Sequence, residues 1–517
     1  MREATDVLVI GSGLAGCAAT LAAARAGARV VMLTKGVRPE DCNTWAAQGG
    51  VIYRGADDSP ERLAADIEAA GAGLCNPAAV RLLAREGPRL VKELLVDDVG
   101  VPFDRAADGQ LDLTAEAAHS VARIVHHADG TGRSVEAAML AAVRREPNAT
   151  IVAGHTVVDL LSLSHHSLHR VDVYAPPTCV GAYVFDQQSR RVEPWLAKET
   201  ILATGGLGRI FLHTTNPAGA CGDGVALAYR AGVRCINMQF IQFHPTTLFH
   251  RDERFLISES LRGEGARLVD EAGREFMASY HPDGSLAPRD IVARGIHQMM
   301  HESGAPCAYL DISFKPSEWI RRRFPTIYGE CLKVGIDITT SRIPVVPAAH
   351  FSCGGVAVDT DGRSSMQRLW AVGEVSCTGL HGANRLASTS LLECLVWGTR
   401  AGREAAGCAT SPARYYMPEI APWQYETEPV DPALIAQDWL TIRQTMWNYV
   451  GLVRSRRRLD RAQQIIRELQ LEIGRFYARS ELSDALISLR NGVQTALAVL
   501  LAAIEARESC GCHYRTD

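Results

Sequence analysis

Residues 6–33 constrain the architecture of this chain more than any other stretch. Asp6-Val-Leu-Val-Ile10 is an apolar run rich in β-branched residues. Gly11-Ser12-Gly13-Leu14-Ala15-Gly16 follows, and an alanine-rich segment continues to Ala26. Gly27 stops that segment, and residues 28–33 are apolar again apart from Arg29. A strand, a helix and a second strand in this order predict a βαβ unit. In such a unit the glycines make a tight turn, let backbone approach a pyrophosphate, and allow the helix to pack closely on the strand. Residues 11–16 are therefore candidate dinucleotide contacts. A nicotinamide site expects Asp or Glu at the end of the second strand, to hold ribose hydroxyls. Thr34-Lys35 stands there instead. A flavin dinucleotide is favoured.

A chain of 517 residues predicts two or three domains. A hydrophobic content of 47% with 22% charged residues is ordinary for a globular protein. The net charge of -4 argues against a nucleic-acid binder, which would carry a basic face. The basic stretch 454–461 reads as a solvated helix face. Residues 1–6 lead directly into a strand, so no signal peptide is expected. No run of 18 or more apolar residues occurs, so no membrane span is expected. The 14 cysteines are scattered singly, which fits reduced thiols and a cytoplasmic location. Cys510-Gly-Cys512-His513 has metal-ligand chemistry, but two thiols and one imidazole at an end expected to be mobile are too few for a closed zinc site. No metal is assigned.

Helical stretches follow to about residue 100, then a strand-rich segment over 150–205 turned by Pro176-Pro177, ending in Ala203-Thr204-Gly205-Gly206. Residues 239–350 are richer in polar and charged loops and read as an inserted substrate domain. Asp431-Pro432, an N-cap followed by proline at the first helical position, announces a helical C-terminal region. The expected division is 1–238 and 351–408 for the dinucleotide domain, 239–350 for a cap, 409–430 for a linker, and 431–517 for a helical domain.

Residues 373–393 form the most loaded run. The apolar 369–372 predicts a strand, and Gly373-Glu374 ends it. Ser388-Thr389-Ser390 precedes Leu391-Leu392, where a helix should begin and offer free N–H groups to a phosphate. Between them lie His381 and Arg385, with no evident packing role. Elsewhere, Gln242-Phe-His244-Pro places an imidazole on extended backbone. Pro288-Arg289-Asp290 places a guanidinium at a helix start, and Pro347-Ala-Ala-His350 ends an extended run. Each alone reads as a satisfied structural group. Two histidines and two arginines in one pocket would suit a dicarboxylate, since arginine pairs bidentately with carboxylates and histidine hydrogen-bonds without fixed charge.

These residues sit in specific motifs: Gly-Ser-Gly-x-Ala-Gly, Ala-Gln-Gly-Gly, Ala-Thr-Gly-Gly, Gln-Phe-His-Pro-Thr, Leu-Arg-Gly-Glu-Gly-Ala, Ala-Pro-Arg-Asp, Pro-Ala-Ala-His and Thr-Gly-Leu-His-Gly-Ala-Asn-Arg. Through them the chain resembles the succinate dehydrogenase/fumarate reductase flavoprotein family over nearly its whole length. The resemblance implies an α/β fold: a Rossmann-like FAD domain of the two-dinucleotide-fold type, an inserted α+β cap and a C-terminal helical bundle. It assigns FAD contacts to residues 11–16, Lys35, Asn43, Thr44, Trp45, Ala46, Ala47, Gln48, Gly49, Gly50, Asp223, Glu374, Ser390 and Leu391.

Respiratory members carry a flavin-linked histidine where this chain has Asn43, which implies non-covalent FAD. Leu113-Thr-Ala-Glu116-Ala-Ala-His119-Ser120 resembles the segment of aspartate-oxidising members whose glutamate reads the substrate amino group. The implied reaction is oxidation of L-aspartate to iminoaspartate by hydride transfer to flavin N5. Dioxygen or fumarate would be the oxidant, and quinolinate synthase is a candidate partner on the route to NAD. His244, His350 and Arg385 would anchor the carboxylates, with Gln242, Ser258 and Glu259 assisting. Arg289 matches the proton-shuttling arginine of the family, a role that needs desolvation and neighbouring cations to bias it towards losing its proton. Thr389 stands where asparagine is common, and Ser258 where threonine is. The alternative is a soluble fumarate reductase or succinate dehydrogenase flavoprotein subunit. A flavoprotein-derived binding module without activity is disfavoured, because every candidate catalytic position is filled.

Overall fold

The computed structural model describes residues 4–116, 118–250, 254–412, 415–426 and 428–517. The strand Thr5–Ile10 pairs in parallel with Val30–Leu33 on one side and with Arg191–Leu202 on the other. Val30–Leu33 pairs in turn with Ala149–Val152, and Leu369–Ala371 pairs with Arg191–Leu202, again in parallel. Val7, Leu8 and Val9 are fully buried, as a central parallel strand covered on both faces requires. The Arg191–Leu202 strand belongs to two systems. Its first half closes an antiparallel meander with Cys179–Asp186 and His155–Ser162, and its second half joins the parallel sheet.

Gly11 ends the first strand at φ +119°, and a Cβ there would lie 2.1 Å from the Ala203 carbonyl oxygen. Only glycine allows that approach. The Leu14–Arg25 helix then packs against Thr389–Ala409, and both belong to one core with Leu380 and Leu386.

The cap is a separate antiparallel sheet of Ile241–Leu248, Ile343–Ser352, Ala308–Asp311 and Arg267–Val269, in that order. The Arg289–Ser303 helix packs on it, around a core of its own that includes Leu261, Val292, Ile296 and Ile320. At the C-terminal end, Asp431 Oδ1 accepts from the Ala433 N–H at 2.9 Å and starts the Pro432–Val450 helix. Arg456–Tyr477 and Asp484–Glu505 complete a three-helix unit. The last of these is long and apolar enough to cross a membrane, but 72% of its most apolar stretch is buried inside the protein.

Two expectations about this region need correcting. Arg454 is not on a solvated face. It is fully buried, donating to the Val450 and Gln239 carbonyls and to His513, whereas Arg456, Arg457 and Arg461 are exposed. The C-terminal residues 510–513 are docked rather than free, with His513 fully buried. Among the described residues no group of three or more His, Cys, Asp or Glu side chains could hold a metal ion.

Candidate active site

Irregular strand pairing aims both site histidines. Along Ile241–Leu248 and Ile343–Ser352, Gln242 pairs with Phe351 and Phe243 with Ala349, so His350 has no partner across the ladder. A second slip follows His244, where Pro245 has no N–H to give. The two rings meet edge to face with centroids 5.3 Å apart. His244 Nδ1 lies 3.1 Å from the Thr246 carbonyl oxygen, and His350 Nδ1 lies 2.8 Å from the Thr215 hydroxyl. In each ring Nε2 is therefore the nitrogen left for the cavity. Burial, then the charges of Arg289 and Arg262, pull His244 well below the usual imidazole range. Burial, then Arg385 and His244, do the same at His350. Both are neutral at pH 7 and can hydrogen-bond to a substrate without adding charge.

Arg289 begins its helix with Nε donating to Glu259 Oε2, and Arg262 donates to Glu259 Oε1 at 2.7 Å. Burial works to raise the Glu259 carboxyl, but the two guanidiniums outweigh it and hold the group at about 2. Burial likewise works to lower Arg289, yet Glu259 and Glu116 prevail and raise it above the ordinary arginine value. Arg289 is therefore held as a charged donor by the two carboxylates that face it.

Arg385 is different. Burial, followed by the charge of Arg289, brings it down to about 10. Its guanidinium lies 4.7 Å from the Phe351 ring centroid, makes long contacts with the Leu386 carbonyl (3.3 Å) and Ser390 Oγ (3.4 Å), and keeps a buried Nε with no partner. Glu116 closes the ring of charges. Its Oε2 accepts from Ser388 Oγ at 2.7 Å, and His119 Nε2 sits 3.1 Å from the neighbouring Ala387 carbonyl oxygen.

Glu116, His244, Arg289, His350, Arg385 and Ser388 face one cavity of about 1040 Å³, which also takes in residues 11–15, Lys35, residues 43–50, Asp223, Ser258, Glu259, Glu374, Ser390 and Leu391. That volume is at the upper end for small-molecule sites and suits a dinucleotide with a small substrate. The fit to a flavin dinucleotide rests on more than volume. The first turns of Leu14–Arg25 and Thr389–Ala409 both open onto the cavity, offering positive helix ends to phosphates. Asn43 Oδ1, Gln48 Oε1 and Thr204 Oγ1 are buried in its wall with no hydrogen-bond partner. Lys35 Nζ is held by Asp223 at 2.9 Å. Glu374 accepts from the Asn43 amide and the Ser352 N–H, both at 3.0 Å, and burial pushes its carboxyl up to about 7.

Three expected contacts do not reach the cavity. Gly16 serves packing, since a Cβ there would lie 2.0 Å from the Gly11 carbonyl oxygen. Gln242 stands behind the wall, its Nε2 donating to Asn384 Oδ1 and to the Arg385 carbonyl, both at 2.8 Å. His381 is turned inward to Glu393 at 2.9 Å. Glu259 does reach the cavity, but both its oxygens are engaged by arginines. Two contributions are not evident from sequence. Ser388 reads only as part of a helix start, not as the partner of Glu116. Arg262 lies three residues after Glu259, a helical spacing that brings the two side chains together.

The match to known proteins follows the same layout. The FAD binding domain family matches residues 6–391, and the fumarate reductase flavoprotein C-terminal family matches residues 440–517. This chain belongs to the succinate dehydrogenase/fumarate reductase flavoprotein family. An L-aspartate oxidase 1 of Ralstonia nicotianae is 44% identical to it, over 99% of this chain and 95% of that protein. An L-aspartate oxidase of Yersinia pestis is 43% identical, over 99% and 96%. Among solved structures, a variant of E. coli quinol fumarate reductase FrdA superposes with a TM-score of 0.88 at 26% identity, covering 99% of this chain and 91% of its own. Mycobacterium smegmatis Sdh1 gives 0.83 at 30%, covering 100% and 89%. The flavoprotein family shares the whole architecture, and FAD is the cofactor the cavity is built for.

Proposed function

We propose that this flavoprotein oxidises L-aspartate to iminoaspartate, the first step of a quinolinate route to NAD, with FAD held non-covalently. The observation that carries the reading is Glu116. It adds a carboxylate not engaged by an arginine to a cavity lined on the substrate side by Ser258, Arg289, Arg385, two neutral histidines and the arginine-paired Glu259. Two guanidiniums and two imidazoles suit a pair of carboxylates, and Glu116 gives an ammonium its counter-charge. Succinate has no use for that group, so Glu116 discriminates. The family resemblance and the aspartate oxidases at 43–44% identity point the same way.

When bound, the flavin supplies the hydride acceptor, and its electrons pass on to dioxygen or fumarate. The residues of the chain orient the substrate and exclude water. Arg289, fixed by Glu259, presents a charged donor from the cap. Arg385 presents a second charge from the flavin domain, and His244 and His350 complete the grip from the seam between them. Asn43, whose amide is spent on Glu374, lacks the ring nitrogen that a covalent flavin link would use. Fourteen free thiols suit a reducing cytoplasm, and quinolinate synthase would be the partner that consumes the product.

Anaerobic bleaching of the flavin tests this directly. L-aspartate should bleach wild type far faster than succinate, and Glu116→Gln should lose most of that preference. Equal bleaching by both substrates in wild type would move the assignment to a succinate dehydrogenase or fumarate reductase subunit. Acid precipitation should release the flavin.

A further inference from the structure

Arg385 has an unusual support problem. It is buried, the charge of Arg289 opposes its own more than either Glu374 or Glu116 supports it, and no salt bridge holds it among the described residues. Desolvation and like-charge repulsion both press it to move. The backbone that carries it must be held from behind, and the C-terminal turn does this. The Cys512 N–H donates to the Ala383 carbonyl at 3.0 Å, and Cys512 Sγ donates to Asn384 Oδ1 at 3.2 Å. That same Asn384 oxygen accepts from Gln242, which also holds the Arg385 carbonyl.

Gly511, at φ +52°, lets the turn lie flat on this segment. A Cβ there would sit 2.5 Å from the Ala383 carbonyl oxygen, in a conformation L-residues rarely adopt. His513 anchors the far side. Its Nδ1 accepts from Arg454, its Nε2 lies 3.0 Å from the Ala506 carbonyl oxygen, and Arg454 donates to the Gln239 carbonyl at 2.8 Å, just ahead of the strand that carries His244. The turn therefore ties residues 383–385 and the His244 strand to one buried point.

We propose that Gly511, Cys512 and His513 are positioning residues that set Arg385 for a substrate carboxylate. The inference rests on the dicarboxylate reading of the cavity. It also gives the C-terminal Cys-Gly-Cys-His sequence a role that is not metal binding.

The test uses FAD-loaded full-length protein and three variants: Gly511→Ala, Cys512→Ala and Cys512→Ser. Succinate binding is read from the flavin absorbance change, and amide exchange is followed in the peptide covering residues 380–390. Gly511→Ala should weaken succinate at least tenfold and speed exchange in that peptide. Cys512→Ala should weaken binding several-fold, and Cys512→Ser, which keeps a donor to Asn384, should recover most of it. Maximal turnover and FAD content should change little, so the loss falls on KM rather than kcat. Unchanged exchange and succinate affinity within twofold of wild type in both alanine variants would overturn the proposal. Equal loss in Cys512→Ser and Cys512→Ala would reduce Cys512 to packing and overturn its assignment. Wild-type protein that binds no dicarboxylate would overturn the functional reading instead, while the exchange data would still decide whether the turn holds residues 383–385.

Discussion

Arg289 and Arg385 face one cavity from two domains, and they are supported in opposite ways. The cap encloses Arg289 in a buried Arg262–Glu259–Arg289 cluster, where the carboxylate lies between two guanidiniums. The flavin domain gives Arg385 an aromatic face, two long contacts to a carbonyl and a hydroxyl, and an idle Nε. A compensated cation is anchored whether or not substrate is present. An uncompensated one is costly until an anion arrives, so its charge is available for binding. The cap thus supplies rigidity and the flavin domain supplies unspent attraction.

Breaking the compensated side should have the largest effect. Glu259→Gln would leave two buried guanidiniums facing each other across an amide. Removing one partner from a buried ion cluster costs about 3–5 kcal/mol. The expected result is a clear fall in melting temperature that succinate restores only in part. A variant that melts with wild type would show that the cap does not depend on charge compensation.

The uncompensated side should respond with the reverse sign in stability. Arg385→Met removes a buried charge that no carboxylate contacts directly and on which burial and Arg289 outweigh Glu374 and Glu116, so the ligand-free protein should be no less stable than wild type. Dicarboxylate affinity should still fall by about 2–5 kcal/mol, the usual cost of truncating one member of a buried charged pair. Loss of stability together with affinity would mean that Arg385 is compensated after all.

How far this contrast could be read from sequence follows from the kind of signal each part leaves. The dinucleotide turn was legible because its glycines answer to backbone geometry and stand beside strand and helix patterns. His244, His350, Arg289 and Arg385 were legible as candidates through their motifs. What joins them was not, because long-range pairing leaves no periodic trace: Glu259 lies 30 residues from Arg289. Arg454 misled for the same reason. In a run of arginines it looks solvated, and only the folded chain shows carbonyls and His513 gathered around it. Gln242 and His381 lie within the right motifs, yet their side chains turn away from the cavity to hold neighbours.

The seam between the two sides carries a pH signature. His244 and His350 are held well below their ordinary value of 6.5 in the folded protein. Below about pH 6.5 the unfolded chain therefore binds more protons than the folded one, so this contribution to stability is full above 6.5 and is lost as pH falls. The slope should approach about 1.4 kcal/mol per pH unit for each ring. A His244→Gln/His350→Gln double variant should show a shallower fall between pH 6.5 and 5. Succinate should also flatten the fall in wild type, because its carboxylates favour the charged imidazoles. Parallel pH profiles for wild type and variant would place the titrating groups elsewhere.

The smallest effect expected is also the finest probe of the comparison. Phe351 lies under the Arg385 guanidinium and also takes an edge contact from His381 at 5.0 Å. A cation over an aromatic face contributes about 0.5–2 kcal/mol, more when desolvated. Phe351→Leu keeps an apolar contact and removes the quadrupole. Succinate affinity should fall by no more than about 2 kcal/mol, with FAD content unchanged. Glu259→Gln combined with Phe351→Leu should then be close to additive, because the two removed groups contact different arginines, Glu259 on Arg289 and Phe351 on Arg385. Strong non-additivity in that double-mutant cycle would show that the compensated cap and the uncompensated flavin domain behave as one electrostatic unit.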